Sequence, residues 1–583
     1  MIRLAIGLGA FALAISTLLG QRIPTTVPGA TGLCSLAVAD GVVYVGSYDS
    51  GGVTLSRSKD GGDTWTAPIR VNQSGGCHFD EVKVAASGAN VFVVWDSDDA
   101  CSGSYPRLRF NRSLDGGQTW LAADVTLDAV SPTSLGFTPT VTVEGGAVYV
   151  TWEGRVTGAD PIRIYFNRSL DFGTTWLPQA VALADAGVPN DGRGSCVAVS
   201  GSVVHVVWRE ARVGYWDVQY QRSLDQGVTW LPNDVRLNLG VPAGSQRSNW
   251  VGIAAQGSSV CVVWADRRAW ANPTGTSDCD IFCNRSTDDG TTWLATDVRV
   301  GPGNVPAAYE VVAPKLAMVG NTVHLVWSDR RSGSYEPFAK RSLDGGATWL
   351  PPETRLNGSV AAGAGYALGA EVVASPDLTA AVWIESRPIS SPREIYLNRS
   401  LDDGATWSPT ELRLSQTGSP SLKLFAKVGI EMDTTHTIWA EDTVMTLRHA
   451  IASGYLAYGS GTPGAGNIVP RVRGSGVPGI GATFTIAVEE GAGGVFGLLA
   501  AGFGAGSRTA VPMFGGTMLV QPTAIFGLLL GGAGPGTGSA SLPVAVPSDV
   551  ALLGLSINWQ ALLLDPAGPM GVTLTNGLEL WIG

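Results

Sequence analysis

Short runs in which hydrophobic and polar residues alternate fill most of the chain up to about residue 450. Examples are residues 203–208 and 164–168, which are rich in β-branched and aromatic side chains. Alternation of this kind predicts β-strands, because successive side chains of a strand point to opposite faces. The runs come in sets of four, the last of them short, as at residues 234–237. Each set therefore predicts a four-stranded antiparallel sheet.

A polar motif, Ser-x-Asp-x-Gly-x-Thr-Trp, stands between the third and fourth runs and occurs seven times. We call it the box, and its tryptophans are Trp65, Trp120, Trp176, Trp230, Trp293, Trp349 and Trp407. Ser and Asp hydrogen-bond to the backbone of a tight turn, and Gly supplies a backbone angle that other residues resist. The Trp buries a large apolar surface that anchors the turn to the sheet. The box therefore predicts a structural turn.

Repetition of a four-stranded unit at a spacing of about 56 residues predicts a β-propeller, in which each blade packs against its neighbours. The first two strands of the unit occur eight times, whereas the box occurs seven times. The eighth copy is residues 422–439, followed by a short run at 444–448. If residues 22–27 supply its missing outer strand, the two ends of the propeller join and eight blades close the ring. Seven blades with an irregular extra hairpin is the alternative, and we favour eight.

The composition changes after about residue 454. Residues 454–583 hold 29 of the 77 glycines and only eight charged residues. Short apolar runs alternate there with Gly and Pro turns, which predicts a small Gly-rich β-sandwich as a separate domain. Its two ends, residues 458–464 and 573–578, resemble a C-terminal module of secreted proteins from planctomycete-type bacteria. That resemblance implies no activity.

The first twenty residues have the pattern of a secretory signal, with Arg3, an apolar stretch at 4–19 and the small residue Gly20. We therefore expect a secreted or cell-surface protein with no membrane span once the signal is removed. An uncleaved membrane anchor is the alternative, although the apolar stretch is short for that role. The predicted organisation is a signal peptide at 1–20, a propeller at 21–453 and the sandwich at 454–583.

The net charge is −11, from 38 Lys and Arg against 49 Asp and Glu, and the chain has no basic run. This composition argues against a nucleic-acid partner, which needs clustered positive charge. The seven cysteines are irregularly spaced and fit neither a disulfide scaffold nor a zinc site, so we expect no metal and no cofactor. Cys77 and Cys101 flank the first two strands of one repeat, and a disulfide between them is predicted. We expect a monomer.

The boxes resemble the Asp-box of the sialidase-like (BNR repeat) superfamily, and the resemblance covers roughly residues 22–450. It implies the fold, an all-β Asp-box propeller. It implies function poorly, because the same box occurs in sialidases, other glycosidases, sorting receptors and binding proteins. Sialidases of this family use a Tyr nucleophile assisted by Glu, an Asp acid/base and three Arg that hold the substrate carboxylate. A sialidase-like activity therefore requires such a set here.

The fourth repeat offers the best-placed candidates. Arg193 starts its first strand, Arg212 follows its second and Asp217 opens its third, an order that resembles two clamp arginines and the acid. All three are predicted on the face opposite the boxes. The resemblance implies Asp217 as the acid/base, with Arg193, Arg212 and Arg247 among the substrate contacts. The long loop of the fifth repeat adds Trp270, an aromatic that can stack on a sugar.

A structural interpretation competes with the catalytic one. The motif Trp-x-acid-x-Arg occurs in four repeats, at Trp208-Glu210-Arg212, Trp264-Asp266-Arg268, Trp327-Asp329-Arg331 and Trp383-Glu385-Arg387. The same repeats carry an acid at the start of the third strand, namely Asp217, Asp280, Glu336 and Glu394. Each Arg is therefore predicted to pair with an acid across its own loop. We favour this interpretation, because a catalytic acid should be unique to one blade.

The sequence shows no clear Tyr and Glu pair. Tyr309 and Glu310 are adjacent and would point to opposite faces of a strand. Tyr215 and Tyr335 have no Glu partner that the sequence identifies. Four charged residues share one column of the first strand: Lys83, Lys315, Lys427 and Glu371. They predict ion pairs near the central channel, with a ligand-binding floor as the alternative.

Two functions are consistent with these observations. We favour an exported, non-catalytic propeller that binds an extracellular glycan or a surface protein, because near-identical repeats offer no single asymmetric cluster. The alternative is an exo-acting glycoside hydrolase of sialidase type, centred on the fourth repeat.

Overall fold

The structure is a computed structural model, and it describes most of the chain between residues 25 and 581. The described residues are 25–28, 34–49, 51–59, 61–62, 64–73, 75, 79–98, 106–128, 135–157, 160–183, 191–268, 279–301, 310–376, 378–400, 402–415, 423–431, 434–441, 446–451, 455–459, 461–475, 478, 483–504, 507–547 and 555–581. The predicted signal peptide, Cys77, Cys101, Trp270 and Tyr309 lie outside them.

The described residues of the first half of the propeller contain seventeen strands. They are β1 (Thr25–Thr26), β2 (Ser35–Ala39), β3 (Val42–Asp49), β4 (Gly52–Ser58), β5 (Ile69–Arg70), β6 (Phe79–Ser87), β7 (Asn90–Ser97), β8 (Arg107–Ser113), β9 (Val125–Thr126), β10 (Leu135–Glu144), β11 (Ala147–Arg155), β12 (Arg163–Ser169), β13 (Val181–Ala182), β14 (Asp191–Ser200), β15 (Val203–Ala211), β16 (Asp217–Ser223) and β17 (Val235–Arg236).

The second half contains fifteen strands among the described residues. They are β18 (Ser248–Gln256), β19 (Ser259–Asp266), β20 (Asp280–Ser286), β21 (Val298–Arg299), β22 (Val311–Val319), β23 (Thr322–Asp329), β24 (Glu336–Ser342), β25 (Thr354–Arg355), β26 (Tyr366–Ala374), β27 (Thr379–Ser386), β28 (Arg393–Ser400), β29 (Leu412–Arg413), β30 (Lys423–Glu431), β31 (Thr434–Glu441) and β32 (Thr446–Ile451).

These strands form eight four-stranded antiparallel sheets, one for each blade. The eighth sheet is completed by β1, which pairs with β32 so that Thr25 lies opposite His449 and Thr26 opposite Arg448. The first strand of each blade contacts the first strand of the next, and β2 contacts β30. The described strands therefore make an eight-bladed ring that the N-terminal strand completes. The prediction of eight blades is confirmed, and the seven-blade alternative is wrong.

The box folds into a hydrogen-bonded turn at the end of the third strand, as blade 3 illustrates. The Ser169 hydroxyl donates to Asp171 Oδ1 at 2.7 Å, and the Gly173 N–H donates to Ser169 Oγ at 2.8 Å. The Thr175 hydroxyl donates to Asp171 Oδ2 at 2.7 Å. The same set of bonds forms around the Asp of five further boxes: Asp115, Asp225, Asp288, Asp344 and Asp402. The predicted structural turn is confirmed.

Each box also joins its blade to the preceding one. Trp176 of blade 3 packs edge-on against Phe110 of blade 2, with 4.7 Å between ring centroids. Gly173 has φ +77°, and a Cβ there would lie 2.5 Å from the Phe110 ring, so only Gly fits. Trp230 and Trp293 make the same contact with Phe166 and Tyr220 of their preceding blades, both at 4.7 Å. The Trp therefore anchors the turn to the neighbouring sheet rather than only to its own.

The C-terminal part of the described chain forms its own sheets. Its strands are β33 (Tyr455–Tyr458), β34 (Arg471–Ser475), β35 (Thr483–Gly493), β36 (Phe496–Phe503), β37 (Arg508–Met513), β38 (Gly516–Val520), β39 (Ala524–Leu529), β40 (Gly534–Ala545), β41 (Ser556–Leu563), β42 (Thr573–Leu574) and β43 (Gly577–Trp581). Single 3-10 turns lie at Ala465–Asn467 and Pro569–Gly571.

Two of these sheets face each other as a β-sandwich, which confirms the predicted fold of this region. The larger sheet has the order β33-β43-β41-β36-β39, with β42 beside β41, and the smaller has the order β34-β35-β40. Phe484 and Ile486 of the smaller sheet share one core with Leu499 and Trp559 of the larger. In the described part of the chain, no helix has the length and apolar character to cross a membrane.

The box carboxylates predict how stability depends on pH. The N–H of Thr175 and the hydroxyls of Ser169 and Thr175 lower the pKa of Asp171 to about 2. The hydroxyl of Ser286, with the N–H and hydroxyl of Thr292, lowers the pKa of Asp288 to about 2. An unfolded Asp titrates at about 3.9. The folded state is therefore fully stabilised above about pH 4, and this stabilisation is lost as the pH falls towards 2.

We accordingly expect the thermal unfolding midpoint of the propeller to fall steeply between about pH 4 and about pH 2. The double variant Asp171→Asn/Asp288→Asn should unfold at a lower temperature at neutral pH and show a weaker pH dependence in that window. Asp40→Asn, at an exposed carboxylate outside the boxes, is the matched control and should follow the wild type. Parallel curves for all three proteins would contradict the role given to the boxes.

Candidate functional site

The candidate residues of the fourth repeat lie on the face opposite the boxes, as predicted. Boxes join the third strand of a blade to the fourth, whereas first strands begin and second strands end at the other face. Arg193 lies near the start of β14, Arg212 follows β15, Asp217 starts β16 and Arg247 precedes β18. The fifth predicted site residue, Trp270, lies outside the described residues.

Asp217 is a buried hydrogen-bond acceptor within its own blade. Its exposed fraction is 3%, and its Oδ1 accepts from Asn238 Nδ2 at 2.7 Å. Its Oδ2 accepts from the N–H of Gly244 at 2.9 Å, and Arg236 Nη1 lies 3.6 Å from Oδ1. Both carboxylate oxygens thus hold the loop between β17 and β18. This geometry favours a structural role over that of a general acid, which must reach the substrate.

Arg212 belongs to an ion-pair arrangement that recurs in four blades. It contacts Glu210, two residues earlier, and Asp234, which lies just before the fourth strand. The corresponding pairs are Arg268 with Asp266 and Asp297, Arg331 with Asp329 and Glu353, and Arg387 with Glu385 and Glu411. Arg212 therefore braces the second strand against the fourth.

The partners of these arginines differ from those predicted. The third-strand acids pair with arginines of the fourth strand: Asp280 with Arg299 at 2.5 Å, Glu336 with Arg355 at 2.8 Å, and Asp217 with Arg236. The expectation that Arg212 pairs with Asp217 across its own loop is thus wrong, because Arg212 pairs with Glu210 and Asp234 instead. Blades 4, 5 and 6 therefore contain two separate Arg–acid pairs where the sequence predicted one, whereas Glu394 of blade 7 lies 3.6 Å from Lys423 Nζ.

Arg193 links blade 4 to blade 3. Its Nη1 lies 3.2 Å from Oε2 of Glu153, and its Nε lies 3.4 Å from Oδ2 of Asp191. The N–H of Gly194 donates to the other oxygen of Glu153 at 2.8 Å. Glu153 comes from the preceding blade, which is why the spacing within the fourth repeat did not reveal it.

A second arginine stands beside Arg193 and carries no carboxylate partner. Arg209 donates from Nη1 to Asn249 Oδ1 at 2.7 Å, and its guanidinium lies 4.9 Å from the ring centroid of Trp216. Burial lowers the pKa of Arg209, the charge of Glu153 raises it, and the nearby charges of Arg193 and Arg247 lower it. Among the described residues neither Arg209 nor Arg247 forms an ion pair. The structure thus brings Arg193 and Arg247 together around Arg209 and leaves Arg212 in its own brace.

A cavity of about 220 Å³ opens at the centre of this face, between blades 4, 5 and 6. Its lining residues are Gly194, Ser195, Cys196, Arg209, Trp250, Val251, Ala313, Pro314 and Lys315. All of them except Arg209, which is near the end of β15, lie near the starts of three neighbouring first strands, where a β-bulge interrupts each pairing. A bulge next to a functional site is a common way to re-aim side chains.

Trp250 is the unusual member of this lining. At the bulge, five first strands hold a residue with positive φ: Thr138, Gly194, Trp250, Ala313 and Gly369. Four of these residues are small, whereas Trp250 adopts φ +48° and leaves 42% of its surface exposed. A bulky residue in this region costs on the order of 1–3 kcal/mol and is often found at functional sites. In the sequence, Trp250 could have been recognised because it occupies a repeat position that the other four strands fill with Thr, Gly or Ala.

The charged column of the first strands is only partly paired. Lys427 Nζ lies 2.5 Å from Glu371 Oε1, and Lys83 Nζ lies 2.8 Å from Glu81 Oε2. Lys315, which lines the cavity, has no hydrogen bond or ion pair with any described residue. The prediction of ion pairs is thus confirmed for Lys427 and Glu371, and Lys315 is left facing the cavity.

A tyrosine and a glutamate meet on the same face in blade 6. The Tyr335 hydroxyl donates to Oε2 of Glu310, and Arg330 Nε lies 3.8 Å from that oxygen. Burial, the hydrogen bond to Glu310 and the charge of Glu310 all raise the pKa of Tyr335. Glu310 directly precedes β22, so it lies roughly 10 Å along the chain from the cavity residues of that strand. The pair spans a loop, which is why adjacency in sequence did not identify it.

The cysteines and acids form no metal site among the described residues, since no three His, Cys, Asp or Glu side chains are grouped to hold an ion. The predicted Cys77–Cys101 disulfide lies outside the described residues. The described free thiols are Cys34, Cys196, Cys261, Cys279 and Cys283. Burial raises the pKa of the Cys34 and Cys279 thiols to about 12. Neither is a reactive thiolate.

Solved structures to which the chain is similar include a polysaccharide lyase, a sialidase and an arabinanase. A polysaccharide lyase, Uly1, matches with 12% identity over 76% of this chain and 94% of its own, with a TM-score of 0.44. A Trypanosoma rangeli sialidase bound to the inhibitor DANA matches with 13% identity over 79% and 93%, with a TM-score of 0.33. A Penicillium chrysogenum α-L-arabinanase matches with 16% identity over 55% and 93%, with a TM-score of 0.32.

At these identities and TM-scores the matches assign no activity and no site residue. No protein-family model and no curated protein matches the chain. The eight described sheets and their boxes give the chain a β-propeller fold, as the resemblance implies.

The structural role of Asp217 can be tested against its equivalent in the next blade, Asp280. We expect Asp217→Ala and Asp280→Ala each to lower the free energy of unfolding by about 1–3 kcal/mol, because each leaves buried donors without an acceptor. Denaturant unfolding measures this change. Neither substitution should selectively remove ligand binding or glycoside turnover. Loss of either function in Asp217→Ala alone, at wild-type stability, would restore the catalytic assignment.

Proposed function

We propose that this chain is an exported propeller protein that binds an acidic glycan in the cavity at the centre of the face opposite the boxes. The propeller fold on which the proposal builds is formed by the eight described sheets. Export rests on the signal-like residues 1–20. The observation that carries the binding proposal is Trp250, an exposed aromatic held in a strained backbone conformation at the cavity.

The face of Trp250 supplies the apolar contact of the proposed site. Saccharide rings present C–H groups on one face and hydroxyls around the edge, so an aromatic ring can cover the first while polar side chains bind the second. The cavity provides such side chains in Ser195 and Arg209. The bulge of β18 constrains the backbone at Trp250. The indole side chain has only two rotatable bonds, so little side-chain freedom is lost on binding.

Unpaired positive charge supplies the preference for an acidic sugar. Arg209 and Lys315 line the cavity, Arg247 lies close to Arg209, and none of the three has an ion-pair partner among the described residues. In a partly buried site, a carboxylate or sulfate ester on the ligand would form charge-assisted hydrogen bonds with them. Arg209 is already oriented by Asn249 and Trp216, which favours one binding geometry.

The proposal predicts binding of acidic oligosaccharides by purified residues 21–583. A glycan array carrying acidic and neutral sugars would identify the ligand, and calorimetry would measure its affinity. Trp250→Ala should weaken binding at least about tenfold, a loss of about 1.4 kcal/mol. Arg209→Gln and Lys315→Met should weaken binding of the acidic sugar and reduce its dependence on salt.

Phe172→Ala is the matched control for Trp250→Ala. Phe172 is also an exposed aromatic with positive φ, at 40% exposure and +57°, but it lies in a box on the opposite face. The Phe172→Ala variant should bind the acidic glycan with the affinity of the wild type. The proposal is wrong if no acidic glycan binds, or if both substitutions weaken binding equally.

The Tyr335–Glu310 pair favours a second candidate, a retaining glycoside hydrolase of sialidase type. In that reaction the Tyr335 oxygen would attack the anomeric carbon and displace the aryloxide leaving group, while Glu310 accepts the phenol proton. Water would then attack the anomeric carbon and release its proton to solvent, and the departing Tyr335 oxygen would take its proton back from Glu310. The raised pKa of Tyr335 makes Glu310 necessary, because the free phenol is a poor nucleophile. Asp217 is engaged as a hydrogen-bond acceptor, so aryl glycosides, whose leaving groups need little protonation, are the substrates of choice.

Turnover of a panel of fluorogenic aryl glycosides, including an α-sialoside, tests this candidate. Tyr335→Phe should abolish turnover while leaving glycan binding and the unfolding midpoint unchanged. Tyr215→Phe, in the equivalent loop of blade 4, should turn over as the wild type does. Absence of turnover with every substrate would exclude the hydrolase and leave the binding proposal intact.

A further inference from the structure

One end of the outer face of the larger C-terminal sheet is apolar and open, whereas β38 covers the other end at Gln560. The register places Phe496 of β36 beside Leu529 of β39 and beside Leu564, which directly follows β41. Leu498 and Ile525 occupy the next two rows on the same side. We call these five residues the outer apolar face. Their alternate neighbours Leu499 and Leu528 point inward to the core of the sandwich. The larger sheet therefore carries hydrophobic residues both on its core side and on its outer apolar face.

The exposure of this face is large for a soluble sheet. Leu529 is 71% exposed and Ile525 is 58% exposed, and the other three residues expose between 37% and 51%. At roughly 150–250 Å² for a large side chain, the five together expose on the order of 500 Å². An apolar patch of that size marks an interaction surface more often than an accident of composition.

Two features make the face suitable for sheet-on-sheet packing. The Phe496 ring lies over Gly527, where a Cβ would be only 3.3 Å from the ring. Because the ring fills the space above this glycine, the surface is level there. No charged residue occurs in β36, β39 or residues 556–564, so two such faces meet without repulsion. Outward faces of two sheets pack about 10 Å apart when their side chains interdigitate.

We propose that the outer apolar face is covered by the same face of a second copy of this chain, giving a two-fold symmetric dimer. Two copies would together bury on the order of 1,000 Å², which is the lower range of specific interfaces. A two-fold axis needs only one self-complementary surface, and a level, uncharged sheet face meets that requirement.

The charges of the C-terminal region argue for a protein partner over an anionic lipid surface. Its three arginines are all paired: Arg471 with Glu490 at 3.1 Å, Arg473 with Glu489 at 3.4 Å, and Arg508 with Glu579 at 3.4 Å. Recognition of anionic lipid needs unpaired basic residues around the apolar patch. The proposal replaces the expectation of a monomer and is independent of the glycan site.

Sedimentation equilibrium of residues 21–583, from about 1 to about 100 μM, tests the proposal. The wild type should be a dimer at the upper concentrations, and Ile525→Lys/Leu529→Lys should weaken association at least tenfold. The matched control is Leu224→Lys/Val228→Lys, which places the same charges at two exposed positions of the fourth box. It should associate as the wild type does. Unfolding midpoints equal to that of the wild type show that the variants are folded.

A wild-type monomer at about 100 μM would overturn the proposal. Flotation of that monomer with phosphatidylcholine vesicles, lost in Ile525→Lys/Leu529→Lys, would assign the face to lipid instead. A dimer that survives Ile525→Lys/Leu529→Lys would also overturn it, since the interface would lie elsewhere. None of these outcomes alters glycan binding, which is measured separately through Trp250→Ala.

Discussion

The contact between a box and the blade before it is the interaction on which the propeller depends. A carboxylate such as Asp171 closes the turn, the turn presents Trp176, and Trp176 packs on Phe110 of the neighbouring sheet. The same turn needs Gly173, because any side chain there would strike that aromatic ring. The hydrogen bonds within each turn thereby position the tryptophan that packs against the neighbouring blade. This repeated contact holds neighbouring blades together, so that their first strands lie side by side around one axis. The cavity lies beside three of these strands, in blades 4, 5 and 6.

Because the blades repeat, most charged residues near the cavity are explained by the scaffold. The braces formed by Arg212 and its equivalents occur four times, and Asp217 has counterparts in Asp280 and Glu336. Only features that break the repeat point to chemistry. Trp250 departs from the repeat in its size and backbone conformation. Lys315 departs from it because it has no counter-ion among the described residues. Tyr335 departs from it through its hydrogen bond to Glu310. All three belong to blades 5 and 6.

Features that are local or that repeat along the chain could be predicted from the sequence. The boxes predicted the turns, their spacing predicted the blades, and residues 22–27 contain β1, which completes the ring. The site was less predictable, because its contacts join different strands and blades. Arg193 depends on Glu153 of another blade, and Tyr335 reaches Glu310 across a loop. Trp250 depends on a bulge that alternation alone does not reveal.

The pairing of β1 with β32 sets the order in which the molecule can be assembled. β1 is the first described strand of the chain, yet its partner β32 is the last described strand of the propeller. The strand must therefore stay unpaired while the other blades form, and closure is a late, long-range step of the kind that slows folding. Under the export proposed above, the ring would close only after the last blade has crossed the membrane.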